Sequence, residues 1–230
     1  MRKISILLLI SMLISANAIF AQNKPFRFGL KVSPNIGWLT TNSNGYEKDG
    51  SIPGYNWGLI SDFTLADNYY FTTGFAINRL NGRLNYQDLR VLPGTTDTVT
   101  GDLNRKYTLG YVDIPLMLKM STNQFDKIKY FGQIGFSLGF NIKADAEDSF
   151  TNSGTEYESE DDVSNEINLM RGSLMLGGGI EYYLDNSTCL ILGLNYSNGI
   201  TDVLKSTNAV TGVEPKATLN YVEITIGVIF

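Results

Sequence analysis

Apolar and polar residues alternate with a period of two along most of the chain after residue 21. This is the period of a β-strand with one apolar face, and no segment after residue 21 carries a long apolar stripe at helical spacing. The alternation falls into separate segments, at residues 26–33, 55–65, 69–80, 107–120, 129–143, 170–184, 188–197 and 221–230. The pattern predicts an all-β protein of eight strands.

The connections between these segments are alternately long and short. Those after the first, third, fifth and seventh predicted strands are long, and they span residues 37–54, 81–106, 144–169 and 198–218. In outer-membrane barrels one rim carries short periplasmic turns and the other carries long external loops, with both termini on the periplasmic side. The sequence therefore predicts an eight-stranded antiparallel up-and-down transmembrane β-barrel with short periplasmic turns and four long external loops.

The two faces of the predicted strands differ in the bulk of their side chains. The apolar faces carry large aromatic residues, among them Phe28, Trp57, Phe63, Phe71, Phe75, Phe136, Phe140 and Tyr182. An eight-stranded barrel has room inside for modest side chains or one small ligand, so packing all of these rings inside would overfill it. We therefore expect the apolar faces to point outward to lipid.

The polar faces carry charged residues of both signs. Four are cationic and four anionic, namely Arg27, Lys31, Lys119 and Arg171 with Asp62, Asp113, Glu181 and Glu223. Because an unpaired buried charge is costly, we expect these side chains to pair within the lumen and to leave it plugged, without an open channel. The alternative is that they form a catalytic or transport site, where buried ionisable groups also cluster.

The first 21 residues have the three-part order of a secretory signal peptide. Arg2 and Lys3 precede an apolar run, and small residues follow it. We expect cleavage after Ala21, with a second candidate site after Ala18. Residues 22–230 are then a single outer-membrane barrel domain that is exported whole.

Composition argues against several classes of function. The chain has no histidine, which removes histidine-based catalytic triads, histidine metal sites and histidine-dependent lipid hydrolases. Its formal net charge is −5 without a basic stretch beyond the signal peptide, so nucleic-acid binding is not expected. The single cysteine, Cys189, is expected to be a small packed strand residue. We predict no enzymatic activity, no cofactor and no structural metal.

The third long loop contains a run of acidic residues, at Glu156, Glu158, Glu160, Asp161 and Asp162. Dense like charge is typical of an exposed, flexible loop, which is the interpretation we prefer. Carboxylates also suit calcium, so a calcium bridge to anionic lipopolysaccharide is the alternative.

Five aromatic residues, Tyr46, Tyr55, Trp57, Tyr86 and Tyr107, lie near the outer ends of predicted strands or in loops. At such positions aromatic side chains commonly anchor a barrel at the lipid interface. A recognition surface is the second interpretation.

Several segments together resemble the PorT-like outer-membrane β-barrel proteins of the Bacteroidota. The segments are Phe28–Val32, Gly58–Phe63, Tyr111–Lys119, Gly177–Tyr182 and Asn220–Phe230, of which the sequence YVDIPLMLK at Tyr111–Lys119 is the most specific. The resemblance implies an integral outer-membrane location, contact with outer-membrane lipid and lipopolysaccharide, and insertion by the barrel-assembly machinery. It also implies that the terminal aromatic Phe230 is the assembly signal. The founder of the family is associated with type IX secretion, and no catalytic residues carry over.

Three functions are consistent with these observations. The first is a non-enzymatic barrel that acts through its surfaces, as a structural protein or as an accessory of an outer-membrane secretion or assembly complex, with secretion proteins as partners. The second is a small-solute transport or ligand-binding barrel, although eight strands are too few for a porin. The third is a soluble lipocalin-like periplasmic barrel, in which the apolar faces would point inward.

Overall fold

The structure is a computed structural model that describes residues 26–92, 94 and 96–230. The predicted signal peptide lies outside these residues. The strands are β1 (Phe26–Thr41), β2 (Tyr46–Lys48), β3 (Ile52–Ala66), β4 (Tyr69–Val91), β5 (Thr98–Ser121), β6 (Ile128–Asn152), β7 (Thr155–Asp162), β8 (Met170–Tyr183), β9 (Cys189–Gly199) and β10 (Ala217–Ile229). A single turn of 3-10 helix, Ser164–Glu166, follows β7.

Eight of these strands pair into a closed antiparallel ring. The order around the ring is β1, β3, β4, β5, β6, β8, β9 and β10, and β10 pairs again with β1. The closing contact joins the two ends of the described chain, with Val32 opposite Ile226. The ring strands are the eight that the alternation predicts, so the predicted fold class is confirmed. The two further strands are not part of the ring: β2 pairs with β4, and β7 pairs with β6.

Among the described residues, no helix is long and apolar enough to cross a bilayer.

The outer surface of the ring is apolar, as predicted. Side chains such as Phe28, Trp57 and Leu194 are more than half exposed on it, at 54%, 52% and 58%. On β1 the outward apolar residues run from Phe26 to Ile36, which is about 33 Å along a strand and about 25 Å of height at a tilt of about 40°. That height matches the lipid-facing band of an outer-membrane barrel. The lipocalin-like alternative requires the opposite orientation and is wrong.

Three glycines in β8 allow its neighbouring strands to approach closely. A Cβ at Gly177 would overlap the Asn195 amide oxygen, and one at Gly179 would overlap the backbone oxygen of Leu192. This glycine run therefore allows the neighbouring strands to pack closely.

The predicted long loops are wrong in one respect, because much of them is strand. β4 and β5 continue as one paired hairpin as far as Val91 and Thr98, and β6 continues to Asn152 before β7 folds back along it. We call the four segments at residues 37–54, 81–106, 144–169 and 198–218 the external region.

In the external region the polarity of the two strand faces is reversed: the inward face is apolar and the outward face is polar. Within β5, Leu103 and Arg105 point inward and are buried, whereas Asn104 and Lys106 lie on the outer face. Water replaces lipid around these strands, so the outer face is polar and the apolar face packs inside. The sequence here lacks the outward apolar stripe that predicts the membrane strands.

An apolar core closes the external end of the lumen. It comprises the buried residues Leu39, Tyr46, Leu80, Leu84, Tyr107, Leu109, Tyr111, Ala144, Ala146, Val163, Ile167, Val203, Leu204, Ala217, Leu219 and Tyr221. The segment after β9 folds into this core, since Val203 and Leu204 are buried and Leu204 pairs with Ile167. Asn208 then ties the segment to β4 by donating a hydrogen bond to the backbone oxygen of Gln87 at 2.9 Å.

Leu194 tests the orientation of the apolar faces, because its side chain lies on the outer surface of β9. We expect Leu194→Arg to lower the free energy of unfolding by about 2–4 kcal/mol, the cost of a cation near the bilayer midplane. Urea unfolding in lipid vesicles measures this cost. Thr100→Arg, at an exposed position on the outer face of the external part of β5, is the matched control and should change stability by less than about 0.5 kcal/mol. Equal costs for the two variants would contradict the assignment.

Candidate functional site

The periplasmic end of the lumen holds a network of four charges. Arg27 contacts Asp62 at 2.7 Å and Glu181 at 3.1 Å. Lys119 contacts Asp62 at 3.0 Å and is also ion-paired to Glu181. The Tyr183 hydroxyl donates a further hydrogen bond to Glu181 at 2.9 Å. Two cations and two anions therefore share one buried site on four different strands, and their formal charges cancel.

A second network lies one level further from the periplasm. Its ion pair joins Lys31 to Glu223 at 3.2 Å. The Glu223 carboxylate also accepts hydrogen bonds from the amides of Asn56 and Asn195, the latter at 3.1 Å. Asn195 in turn donates to the Thr225 hydroxyl at 3.0 Å. Lys31 is the only one of the eight predicted luminal charges that is half-buried rather than buried.

A cavity of about 50 Å³ separates these two networks. Its lining includes Lys31, Ile60, Met117, Phe131, Met175 and Glu223. Such a volume accommodates a few water molecules, since one water requires roughly 10–15 Å³ measured in this way. Pockets for small-molecule ligands are typically about 300–1,000 Å³, so this cavity is too small for a solute of that kind.

The third luminal level is built around Asp113 and Arg171. Their closest charged atoms are 3.9 Å apart. Asn78 donates a hydrogen bond to Asp113 at 2.7 Å, and Arg171 donates one to the Ser197 hydroxyl at 3.0 Å. The guanidinium also lies 5.3 Å from the ring centre of Tyr221, which begins the apolar core above. All eight predicted luminal charges are thus found inside the barrel, on three levels.

A fourth ionic cluster lies in the external region, and it is not predicted from the sequence. Arg105 makes two hydrogen bonds to the buried Asp148, at 2.6 and 2.7 Å, and a third to Glu166 at 2.8 Å. Burial is the largest single influence on the pKa of Arg105 and lowers it, but the hydrogen bonds to Asp148 and the charges of the neighbouring Tyr86, Tyr107 and Asp148 together raise that pKa above its usual value. Arg90 reaches the same carboxylate at 2.6 Å. The cluster fixes the turn after β7 to the barrel wall. Only the inverted alternation of β5 could have indicated that Arg105 points inward.

The prediction that five aromatic residues anchor the barrel in lipid is wrong for three of them. Tyr46 and Tyr107 are buried in the apolar core, and Tyr86 packs against that core. The rings of Tyr46 and Tyr86 stack with centres 4.5 Å apart. Burial raises the pKa of Tyr46 to about 12. Only Tyr55 and Trp57 are exposed on the outer surface, because the other three belong to strands whose faces are reversed.

The acidic run is not a flexible loop. It forms most of β7, which pairs along its whole length with β6. The strand spreads the carboxylates along one edge of the sheet rather than around a point. Among the residues that the structure describes, no group of three or more acidic, cysteine or histidine side chains is placed to hold a metal ion.

The remaining predicted residues lie at the periplasmic rim. Phe230 is exposed on the outer surface, with its ring centre 5.6 Å from that of Phe28, and its amide donates a hydrogen bond to the Phe28 carbonyl at 2.8 Å. Its role as an assembly signal remains a prediction. Cys189 is fully buried on β9, as expected of a small packed residue.

These features define an integral barrel of the outer-membrane type, with a lumen filled by paired charges and an external end closed by an apolar core. A comparison with known families agrees, since residues 20–228 match the sequence model described as "Outer membrane protein beta-barrel domain". The chain belongs to this family, and its location is the outer membrane.

Comparison with solved structures gives distant similarities to small outer-membrane barrels. Neisserial surface protein A of Neisseria is 14% identical with a TM-score of 0.43, covering 90% of this chain and 96% of that one. OprG of Pseudomonas aeruginosa is 11% identical with a TM-score of 0.47, covering 90% and 97%. Ail of Yersinia pestis, solved with a heparin analogue, is 11% identical with a TM-score of 0.38, covering 90% and 100%. No curated protein matches the chain. The family assignment rests on the match over residues 20–228.

Glu181 tests whether the periplasmic network stabilises the barrel. Glu181→Gln leaves Arg27 and Lys119 with one carboxylate, Asp62, in a closed lumen. We expect the free energy of unfolding in detergent or vesicles to fall by about 3–5 kcal/mol, the typical cost of breaking a buried ion pair on one side. Combining Glu181→Leu with Lys119→Met removes one charge of each sign and should recover most of the loss.

The matched control for this prediction is Glu147→Gln, because Glu147 pairs with Lys106 at 2.9 Å on the outer face of the external region. An exposed pair contributes less than about 1 kcal/mol. If Glu181→Gln destabilised the barrel no more than this control does, the luminal network would not be a stabilising element.

Tyr46 predicts how the external region responds to alkaline pH. Its folded pKa of about 12 lies above the unfolded value of 10.0, so unfolding releases a proton above pH 10. Stability should therefore be unaffected below pH 10 and fall as the pH rises from 10 to 12. Urea unfolding at stepped pH, with tyrosinate absorbance at 295 nm, measures this fall. In Tyr46→Phe the dependence of the unfolding free energy on pH should be less steep, by the equivalent of up to one proton. An unchanged slope would contradict the raised pKa of Tyr46.

Proposed function

We propose that the protein is a closed, non-conducting outer-membrane barrel without enzymatic activity that presents its external region to other proteins. In this role it is an accessory or structural component of an outer-membrane secretion or assembly complex. The resemblance of Tyr111–Lys119 to PorT-like proteins favours a type IX secretion complex.

One observation carries this proposal, namely that paired side chains cross the lumen at three levels and leave only the cavity of about 50 Å³ between the first two. Ion pairs and hydrogen bonds cross it at three levels, from the pair of Arg27 and Asp62 to that of Asp113 and Arg171. Above them the apolar core seals the external end. A barrel filled in this way offers its outer and external surfaces for function rather than a passage.

The transport alternative requires the luminal charges to conduct ions or to bind a solute. The geometry favours structural pairing instead, because each predicted luminal charge lies within 4 Å of an opposite charge. Opening a path would require breaking several buried pairs, each costing several kcal/mol.

The absence of enzymatic activity is proposed on chemical grounds. The chain lacks histidine, the residue most often used as a general base or acid. The buried carboxylates Asp62, Glu181 and Glu223 are engaged by cations and amides inside the wall, out of reach of an external substrate.

Planar-bilayer recording tests the closed barrel directly. We expect no steady conductance from the purified wild-type protein, because the luminal pairs and the apolar core block the passage. An Arg27→Ala/Lys119→Ala double variant removes both cations of the periplasmic network and is the informative comparison. Steady wild-type conductance that changed in this variant would overturn the proposal in favour of transport.

Affinity capture tests the partner role. A tagged copy extracted in mild detergent should bring down components of a secretion or assembly complex, whereas a tagged small barrel of another family from the same membrane should not. A monomer recovered alone after cross-linking in intact cells would contradict the accessory role.

A further inference from the structure

The strand β7 leaves one side of its backbone unpaired. Among the described residues it pairs with β6 alone, whereas every ring strand has a neighbour on both sides. Within the membrane, β8 takes the place beside β6, but it begins only at Met170, opposite Phe140. In the external region β7 therefore forms an open edge of the sheet. Seven of its eight residues are exposed, and Tyr157 is the exception.

The register of the hairpin identifies which backbone groups face this open edge. Asn152 and Thr155 form the pair next to the turn, and the Val163 amide donates to the Ala144 carbonyl at 2.9 Å. In an antiparallel pair, hydrogen-bonded and non-hydrogen-bonded positions alternate. Odd-numbered residues of β7 therefore bond to β6, and the amide and carbonyl groups of even-numbered residues point away from it.

The even-numbered residues of β7 are Glu156, Glu158, Glu160 and Asp162, so each outward-pointing backbone unit carries a carboxylate. These carboxylates lie on one face of the strand at a period of two. In the described part of the chain, no lysine or arginine forms an ion pair with any of them. The cations on that face are already engaged within the sheet, where Lys106 contacts Glu147 and Lys143 contacts Asp145.

We propose that the open edge of β7 binds an extended peptide segment of a partner protein, one with basic residues at alternate positions, as an added antiparallel strand. Main-chain hydrogen bonds to Glu156, Glu158 and Glu160 provide the attachment, which is how edge strands recognise extended peptides. Basic side chains opposite these residues fall on the same face as the carboxylates, and opposite charges directly across two strands stabilise the pairing. The charge pattern thus selects both the partner and its register.

A purely protective role is the competing explanation. Charged side chains on an exposed edge discourage unwanted pairing with other strands. Under that explanation a strand with complementary charge gains nothing from backbone pairing, and the carboxylates attract any cationic peptide equally.

The two explanations make different predictions for peptide binding, because only strand addition requires the backbone amides of the peptide. The probe is a labelled nine-residue peptide with lysine at every second position and threonine between, and the receptor is the full mature chain in zwitterionic nanodiscs. Lysine residues opposite Glu156, Glu158 and Glu160 present their amides to β7, and threonine residues present theirs to solvent. We expect the peptide to bind, and to bind with similar affinity when its threonine amides are methylated. Methylating the lysine amides, at unchanged charge, should weaken binding at least tenfold.

The matched receptor variant is Glu158→Gln/Glu160→Gln, which keeps the strand and removes two carboxylates. We expect it to bind the peptide about fivefold more weakly. Equal binding of the two methylated peptides would overturn strand addition, and so would absence of binding. This inference deepens the proposed function and rests on it for the external position of β7. Its failure would leave the conductance and capture results unchanged, so the two proposals fail separately.

Discussion

The structure depends on closure of a narrow ring of eight strands, completed where β1 pairs with β10. Closure satisfies the backbone of every ring strand on both sides, which a bilayer requires because lipid offers no hydrogen bonds. It also fixes the width of the lumen, which with eight strands holds side chains and little else. Each inward residue must therefore fit beside the others, and each charge must find a partner of opposite sign. The ion pairs of Arg27, Lys31 and Arg171 are consequences of that geometry.

A second consequence concerns the environment outside the ring. The same strands pass from lipid into water, and their faces exchange roles where they do so. Below that point Leu116 and Leu118 of β5 face outward while Met117 and Lys119 face inward. Above it Leu103 is buried and Asn104 lies outside. The hydrogen bonds between β4 and β5 continue across the boundary between lipid and water, so one hairpin lies partly in each environment. The external region gains an apolar core of its own, and this core closes the lumen.

The proposed function uses the surfaces that this arrangement leaves free. The luminal side chains pair with one another, the outer surface of the ring contacts lipid, and the apolar core closes the external end of the lumen. The polar outer face of the external region and the edge of β7 remain. A closed barrel with an unpaired strand edge above the membrane is suited to holding a partner chain, and the carboxylates of Glu156, Glu158 and Glu160 give that edge a charge pattern.

The sequence by itself determined the membrane strands, their faces and the set of luminal charges, because lipid imposes a strict period of two on residues such as Phe28, Leu30 and Val32. It also determined that the eight charges balance. Only the tertiary structure decided which of them meet, since Arg27 and Glu181 are brought together by ring closure across most of the chain. It also decided that residues 81–106 and 144–169 are largely strand, and that Tyr46 and Tyr107 are buried. In the external region the strands lie in water, so their outward faces are polar and only scattered inward positions are apolar. The local sequence pattern therefore does not distinguish these strands from polar loops.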